Sequence, residues 1–332
     1  MNEKLTRRNF MKPLVMAGLS LPFAKSLFDP TQMVGKRIGI IGLDTSHSVA
    51  FTKALNAISP NPVYDGFKIV AAYPHGSKDI LSSTERIPGY TEEVKKLGVE
   101  IVDSIKELLN KVDFVMLETN DGRLHLEQAI EVFKAGKTTF IDKPIAASLA
   151  DAKAIFKEAK KYKIPVFSSS SLRYATGMQE IKEGKIGEVK GADTYSPMKF
   201  EKTHPDLFWY GIHGVEMLFT VMGPDCESVQ RIISEDQEVC TGIWKDGRIG
   251  TFRGIKSGKQ EYGGTAFGKT GILHLGPYNG YDPLLVKIIE FFKTGISPIN
   301  EKETLAIFAF MEAADASKKS DGARIKLTQI NE

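Results

Sequence analysis

Between residues 36 and 170, short apolar runs alternate with amphipathic stretches, and this alternation constrains the fold more than any other feature of the chain. Strand-like runs fall at 37–41, 68–73, 100–102, 114–118, 138–141 and 165–168. Helical patterns lie between them, as at 124–135 and 149–162, with Gly136 placed to end the first of these. Parallel neighbours need a crossover rather than a tight turn, so the alternation predicts a parallel, doubly wound sheet. Right-handed crossovers then bring the strand C-termini to one edge, where ligands bind. After Arg173 the pattern changes. Strand-like segments at 191–196, 228–233, 238–244, 249–255 and 271–275 follow one another without helices, and Asp246-Gly247 forms a hairpin signal between two of them. These predict a large, mainly antiparallel sheet. Helical patterns at 283–293 and 301–317 and a strand at 324–327 close the chain. Its 332 residues suffice for two well-buried domains.

The first 26 residues read as a targeting segment. Thr6-Arg7-Arg8-Asn9-Phe10-Met11-Lys12 resembles a twin-arginine export signal, and an apolar stretch at 14–24 has the length of a signal h-region. The expected location is periplasmic, or otherwise exported by the twin-arginine machinery. The leader carries a net charge of +4 against +3 for the whole chain, which leaves about −1 for the remainder. That balance gives no support to a basic nucleic-acid-binding surface. Cys226 and Cys240 are the only cysteines, and no Cys/His cluster has metal-ligand spacing, so no metal is expected from these motifs. Twin-arginine substrates typically fold before transport, in a reducing compartment. Two buried free thiols are therefore the expected state.

The first strand-to-helix turn is Gly39-Ile40-Ile41-Gly42-Leu43-Asp44-Thr45-Ser46-His47, with a helix expected from Ser46. A dinucleotide-binding fold places G-x-G-x-x-G here, and this chain keeps only the first glycine of that pattern, Gly42. Asp44 and His47 replace the others. Thr45 and Ser46 offer hydroxyls at a helix N-terminus, a natural anion site. Asp44 offers a carboxylate that either turns away from a phosphate or caps the helix itself. At the end of the fifth strand, Phe140-Ile141-Asp142-Lys143-Pro144 aims a lysine at the ligand crevice. Such a lysine can polarise or protonate a substrate oxygen.

Asp142-Lys143-Pro144 resembles the Glu-Lys-Pro motif of the glucose–fructose oxidoreductase / inositol dehydrogenase (Gfo/Idh/MocA) family. Leu126-Glu127-Gln128, Ala135-Gly136-Lys137 and the run from Phe292-Lys293-Thr294-Gly295 through Pro298, Glu301, Ala313-Ala314, Ser317, Gly322 and Leu327 fit the same pattern. The resemblance covers essentially the whole chain after the leader. It implies a Rossmann-type dinucleotide-binding domain over 35–170 and a substrate and oligomerisation domain over 171–332, whose open sheet supports a homodimer or homotetramer. It implies NAD or NADP as cofactor, tightly bound in an exported enzyme, and a sugar or polyol as substrate. Gly211-Ile212-His213 resembles the family's Gly-x-His segment, so Lys143 and His213 are the expected catalytic pair. Gly42, Asp44, Thr45, Ser46, His47, Tyr73, Thr119, Asn120, Lys143 and Pro144 are the expected cofactor-binding positions. Arg173, Trp209 and Tyr210 join His213 as substrate-binding candidates, Arg173 with an interdomain salt bridge as its alternative and the two aromatics with core packing as theirs.

The chain departs from the family in several places. Trp209 stands where an aspartate often precedes the histidine, with His204 and Asp206 as nearby replacements. The second strand ends in Tyr73 and lacks the acid that holds ribose hydroxyls. Thr119-Asn120-Asp121-Gly122-Arg123-Leu124-His125 replaces a proline-rich segment; Asp121 is placed to cap the following helix, and His125 matches a family histidine. Three function classes follow. One is an exported NAD(P)-dependent oxidoreductase, with redox-assisted glycoside cleavage as a variant. The second is a cofactor-free carbohydrate-binding or scaffold protein. The third is a lyase or epimerase using Lys143 and His213.

Overall fold

The computed structural model describes residues 35–330; the leader at 1–26 lies outside the described residues. The first layer alternates as the sequence pattern requires: β1 (Arg37–Ile41), α1 (Ser46–Leu55), β2 (Lys68–Tyr73), α2 (Leu81–Lys96), β3 (Glu100–Ile101), α3 (Ile105–Leu109), β4 (Phe114–Leu117), α4 (His125–Lys134), β5 (Thr138–Asp142), α5 (Leu149–Tyr162) and β6 (Val166–Ser169). All six strands are parallel, in the order β3-β2-β1-β4-β5-β6. β4 and β5 are buried throughout, which explains their near-continuous apolar sequence. The order reverses direction between β1 and β4, so their C-terminal ends flank a crevice at the topological switch point.

The second layer comprises α6 (Met178–Lys182), β7 (Val189–Pro197), α7 (Ile212–Met222), β8 (Cys226–Ile233), β9 (Gln237–Trp244), β10 (Ile249–Ile255), β11 (Gly263–Gly268), β12 (Ile272–Leu275), α8 (Asp282–Thr294), α9 (Glu301–Lys319) and β13 (Ile325–Lys326). Its seven strands run in the order β12-β11-β7-β10-β9-β8-β13. Only β7 and β10 pair in parallel, so the expected mainly antiparallel sheet is present. β9 and β10 meet through the Asp246-Gly247 turn, with Gly247 at φ 83°. β11 was missed in the sequence because Gly263-Gly264 opens it and masks its alternation.

α8 leaves the second layer and returns to the first. Leu284, Leu285, Ile288 and Phe292 join the core around Ile38, Ile40 and Phe114, with Phe114 and Phe292 stacked at 4.8 Å. This return clamps the two layers around the crevice. Cys226 and Cys240 are free and buried on adjacent strands, and burial pushes both thiols up to about 12.

Candidate active site

The turn after β1 keeps the backbone geometry of a phosphate loop. Gly42 sits at φ 91°, and a Cβ there would lie 2.5 Å from the Thr119 nitrogen, so only glycine fits. Its N–H donates to Tyr73 O at 2.8 Å. Thr45 caps α1, accepting weakly from His47 N at 3.4 Å, while Ser46 is exposed at the helix N-terminus. Asp44 is not the cap. It is fully buried, and its Oδ1 accepts the Asn120 N–H at 2.9 Å while Ser77 N approaches Oδ2 at 3.4 Å. Burial raises its pKa despite these donors. The carboxylate therefore fastens the loops after β2 and β4 to the turn and lies out of the cavity. Gly76 makes room for it, since a Cβ there would fall 2.0 Å from Asp44 Oδ2.

His47 takes the third glycine's place and does something a glycine cannot. Its Nδ1 lies 2.8 Å from Asp142 Oδ1 and 3.9 Å from Glu118 Oε2. Burial alone would raise the Asp142 carboxyl, but the charges of His47 and Lys143 outweigh it and hold the group below the usual carboxylate range. An ionised Asp142 only accepts, so the His47 Nδ1–H donates to it. In the sequence Glu118 only marks the end of the fourth strand. It lies just past β4, is fully buried, and burial followed by the Asp142 charge raises its pKa strongly. A glutamate closing an otherwise apolar strand was the available signal.

Lys143, directly after β5, and His213, on α7, border one cavity between the layers. α7 approaches the second sheet closely because Gly214 packs on Phe252; a Cβ there would sit 2.3 Å from the Phe252 ring. His213 Nδ1 meets Ser170 Oγ at 2.7 Å, and Tyr210 and Tyr262 stand edge-on at 5.7 Å each. Burial first, then the charges of Lys143 and His47, push the imidazole well below its ordinary pKa, so it is neutral. The aspartate missing before His213 is not replaced by His204 or Asp206. His204 lies 3.3 Å from Asp121, and Asp206 pairs with Arg231 and Lys318. What supports His213 is Ser170, itself held by Glu216, which accepts Ser170 N and Ser169 Oγ at 2.9 Å each.

Arg173 does not face the cavity. Its guanidinium is buried between Glu216 at 2.8 Å and Glu303 at 2.5 Å, a structural ion pair as in its alternative reading, but one made within the second layer rather than between the two domains. Asp121 is not a helix cap either. Leu124 precedes α4 without a side-chain cap, while Asp121 binds the Arg123 N–H and guanidinium. His125 is buried with Nε2 2.6 Å from Thr119 O, which fixes the loop after β4. Tyr73, Thr119 and Pro144 also stay off the cavity wall, whereas Thr45, Ser46, His47, Asn120 and Lys143 reach it.

The cavity measures about 430 Å³, within the usual range for small-molecule sites. Its lining includes the α1 N-terminus and Arg86 of α2. Much of the remaining lining is aromatic. Trp209 and Tyr210 border the cavity as expected, in a single π-helical turn before α7, joined by Tyr262, Tyr278 and Tyr281. These three tyrosines lay in segments without a sequence motif. Tyr281 also crosses over to the first layer, its hydroxyl 3.0 Å from Ser46 Oγ and its ring 4.4 Å from His47.

A dinucleotide fits this frame in altered form. The tight Gly42 turn is kept, the Asp44 charge is turned away, and the α1 N-terminus opens on the cavity. The acid that would hold a ribose at the end of β2 is absent.

Comparison with known proteins agrees with that frame. Residues 36–169 match the GFO_IDH_MocA model, described as an oxidoreductase family with an NAD-binding Rossmann fold. The myo-inositol 2-dehydrogenase of Thermotoga maritima is 28% identical over 152 residues, which cover 42% of this chain and 45% of that protein. The curated relatives are matched over less than half of their own length. A probable dehydrogenase structure from Thermotoga maritima superposes with a TM-score of 0.72 at 20% identity, covering 89% of this chain and 99% of the other. The scyllo-inositol dehydrogenase of Lactobacillus casei, solved with bound NAD(H) and scyllo-inositol, gives 0.69 at 15% identity, covering 88% and 99%. At such identities the structural likeness establishes the fold, and the match over residues 36–169 is a likeness of the first layer to the NAD-binding Rossmann domain of that oxidoreductase family.

Proposed function

We propose that this chain is an NAD-dependent oxidoreductase of the Gfo/Idh/MocA family that oxidises a hydroxyl of a cyclic polyol or sugar. The observation that carries this reading is that Lys143 and His213, one from each layer, border a single cavity that also meets the α1 N-terminus. Thr45, Ser46 and Asn120, with Arg86 alongside, would hold the cofactor's phosphates. When bound, the cofactor supplies the hydride acceptor.

The chain's own residues handle the oxygen. The Lys143 ammonium orients the substrate hydroxyl and favours the developing alkoxide. Neutral His213 donates its Nδ1–H to Ser170 Oγ in one tautomer, which leaves the Nε2 lone pair to accept the hydroxyl proton. Trp209, Tyr210 and Tyr262 line the cavity and supply apolar ring surface for sugar C–H groups. The paired arginines of the leader support export of the folded enzyme with its cofactor already bound. The enzyme reading is tested by following NAD reduction with a panel of inositols and aldoses. Turnover that Lys143→Ala abolishes supports it. The binding-protein alternative gains if the wild-type protein binds a polyol yet reduces no dinucleotide.

A further inference from the structure

Three positions where this chain departs from, or adds to, the dinucleotide-binding pattern meet at one point. His47 replaces the third glycine, Asp142 shortens the glutamate of Glu-Lys-Pro, and Glu118 ends an apolar strand. Their side chains are buried and converge at the C-terminal ends of β4 and β5, beneath the N-terminus of α1. One ligand atom from each lies within 4.8 Å of the other two.

The hydrogen bonds at this point do not close. His47 has one nitrogen facing the carboxylates, and its proton goes to Asp142 Oδ1. Both oxygens of Glu118 and Oδ2 of Asp142 lack any hydrogen-bond partner. Buried polar atoms are normally satisfied, and a buried carboxylate with no donor is costly. Protonating the imidazole fully would add no donor on this side of the ring.

The geometry points to a divalent cation site formed by His47 Nδ1 and the carboxylates of Glu118 and Asp142. A cation satisfies the orphaned oxygens together; its binding releases to solvent any proton held by Glu118, and the Nδ1 proton moves to Nε2 or is released as well. Metal–ligand bonds of about 2.0–2.2 Å put neighbouring donors roughly 3–3.5 Å apart. The observed 2.8 and 3.9 Å bracket that spacing. One imidazole and two carboxylates without a thiolate suit a first-row ion such as Mn²⁺ or Zn²⁺. His47 and Lys143 both border the cavity, so the ion lies at its floor. Motif spacing could not reveal the site, because its three ligands come from the first turn of α1 and from the ends of β4 and β5.

The site is tested on metal alone, so its failure leaves the dinucleotide reading untouched. Protein freed of metal by a chelator is titrated calorimetrically with Mn²⁺ and with Zn²⁺, alongside Glu118→Gln and His47→Gln. One ion per chain is expected. Loss of a ligand is expected to weaken binding by at least about tenfold. Bound ion should also raise the unfolding temperature of the wild type and not of Glu118→Gln. Glu118→Gln is nearly isosteric and keeps the test valid if His47→Gln does not fold. No binding of either ion up to roughly 1 mM, or undiminished binding in the folded variants, overturns the site.

Discussion

Replacing Arg173 by methionine separates the ligand-binding reading of this residue from the structural one. The side chain is 4% exposed and joins Glu216 on α7 to Glu303 on α9. Methionine keeps the aliphatic volume and removes the cation. Glu303 is near enough to solvent to rehydrate in part, but Glu216 is not. Burial already raises the Glu216 pKa against the opposing Arg173 charge, so losing that charge leaves only Ser169 Oγ and Ser170 N to stabilise the ion. Orphaning a buried partner of this kind costs about 3–5 kcal/mol. The double variant Arg173→Met/Glu216→Gln leaves no buried charge at this position, and its cost should fall to about 1–3 kcal/mol, that of imperfect hydrogen bonding. The assay is urea unfolding followed by far-UV circular dichroism and by Trp209 and Trp244 fluorescence. A single variant within about 1 kcal/mol of wild type would refute the structural role, especially if KM for the polyol rose.

Four further outcomes follow from the same geometry. Lys143→Ala should lower turnover by about 10²–10⁴-fold in protein whose circular dichroism shows it folded; near-wild-type turnover removes the residue from the mechanism. Because burial, Lys143 and His47 keep His213 neutral, the acid-side fall in turnover should lie below the ordinary histidine value, and a pH profile halving near 6.5 would contradict that. Asp44→Ala should cost about 1–3 kcal/mol by releasing the loops after β2 and β4, measured by urea unfolding, whereas a role confined to contacting the cofactor would leave apo stability unchanged. Cys226 and Cys240 should resist a thiol reagent in the native protein and both react in denaturant, since each is buried with its thiol pushed up to about 12.

The alternation of apolar strands with helices was enough to place all six parallel strands, within a residue or so at most ends, because strands buried on both faces have little compositional freedom. Ser46 as the start of α1 was legible for the same local reason: Thr45-Ser46 follows a strand and a glycine turn. The site was less legible where its parts are distant in sequence. For Asp44 the sequence leaves open a cap or a carboxylate turned away from the phosphate, and the second holds because its partners Asn120 and Ser77 come from two other loops. Arg173 looked available because Glu216 and Glu303 lie far along the chain. Glu118 was visible as a charge ending a buried strand, but its meaning depends on His47 and Asp142 arriving beside it. Tyr262, Tyr278 and Tyr281 carry no motif, and only the path from β11 through α8 brings them over the cavity.

The central claim is that the turn from Gly42 to His47 still serves a nicotinamide dinucleotide despite losing two glycines. Calorimetric titration of nucleotide-free protein with NADH tests it most directly. The account predicts saturable binding of one NADH per chain, weakened when Ser46→Glu places a charge at the α1 N-terminus. No heat of binding with NADH or NADPH up to roughly 1 mM, from protein whose circular dichroism shows it folded, would contradict it.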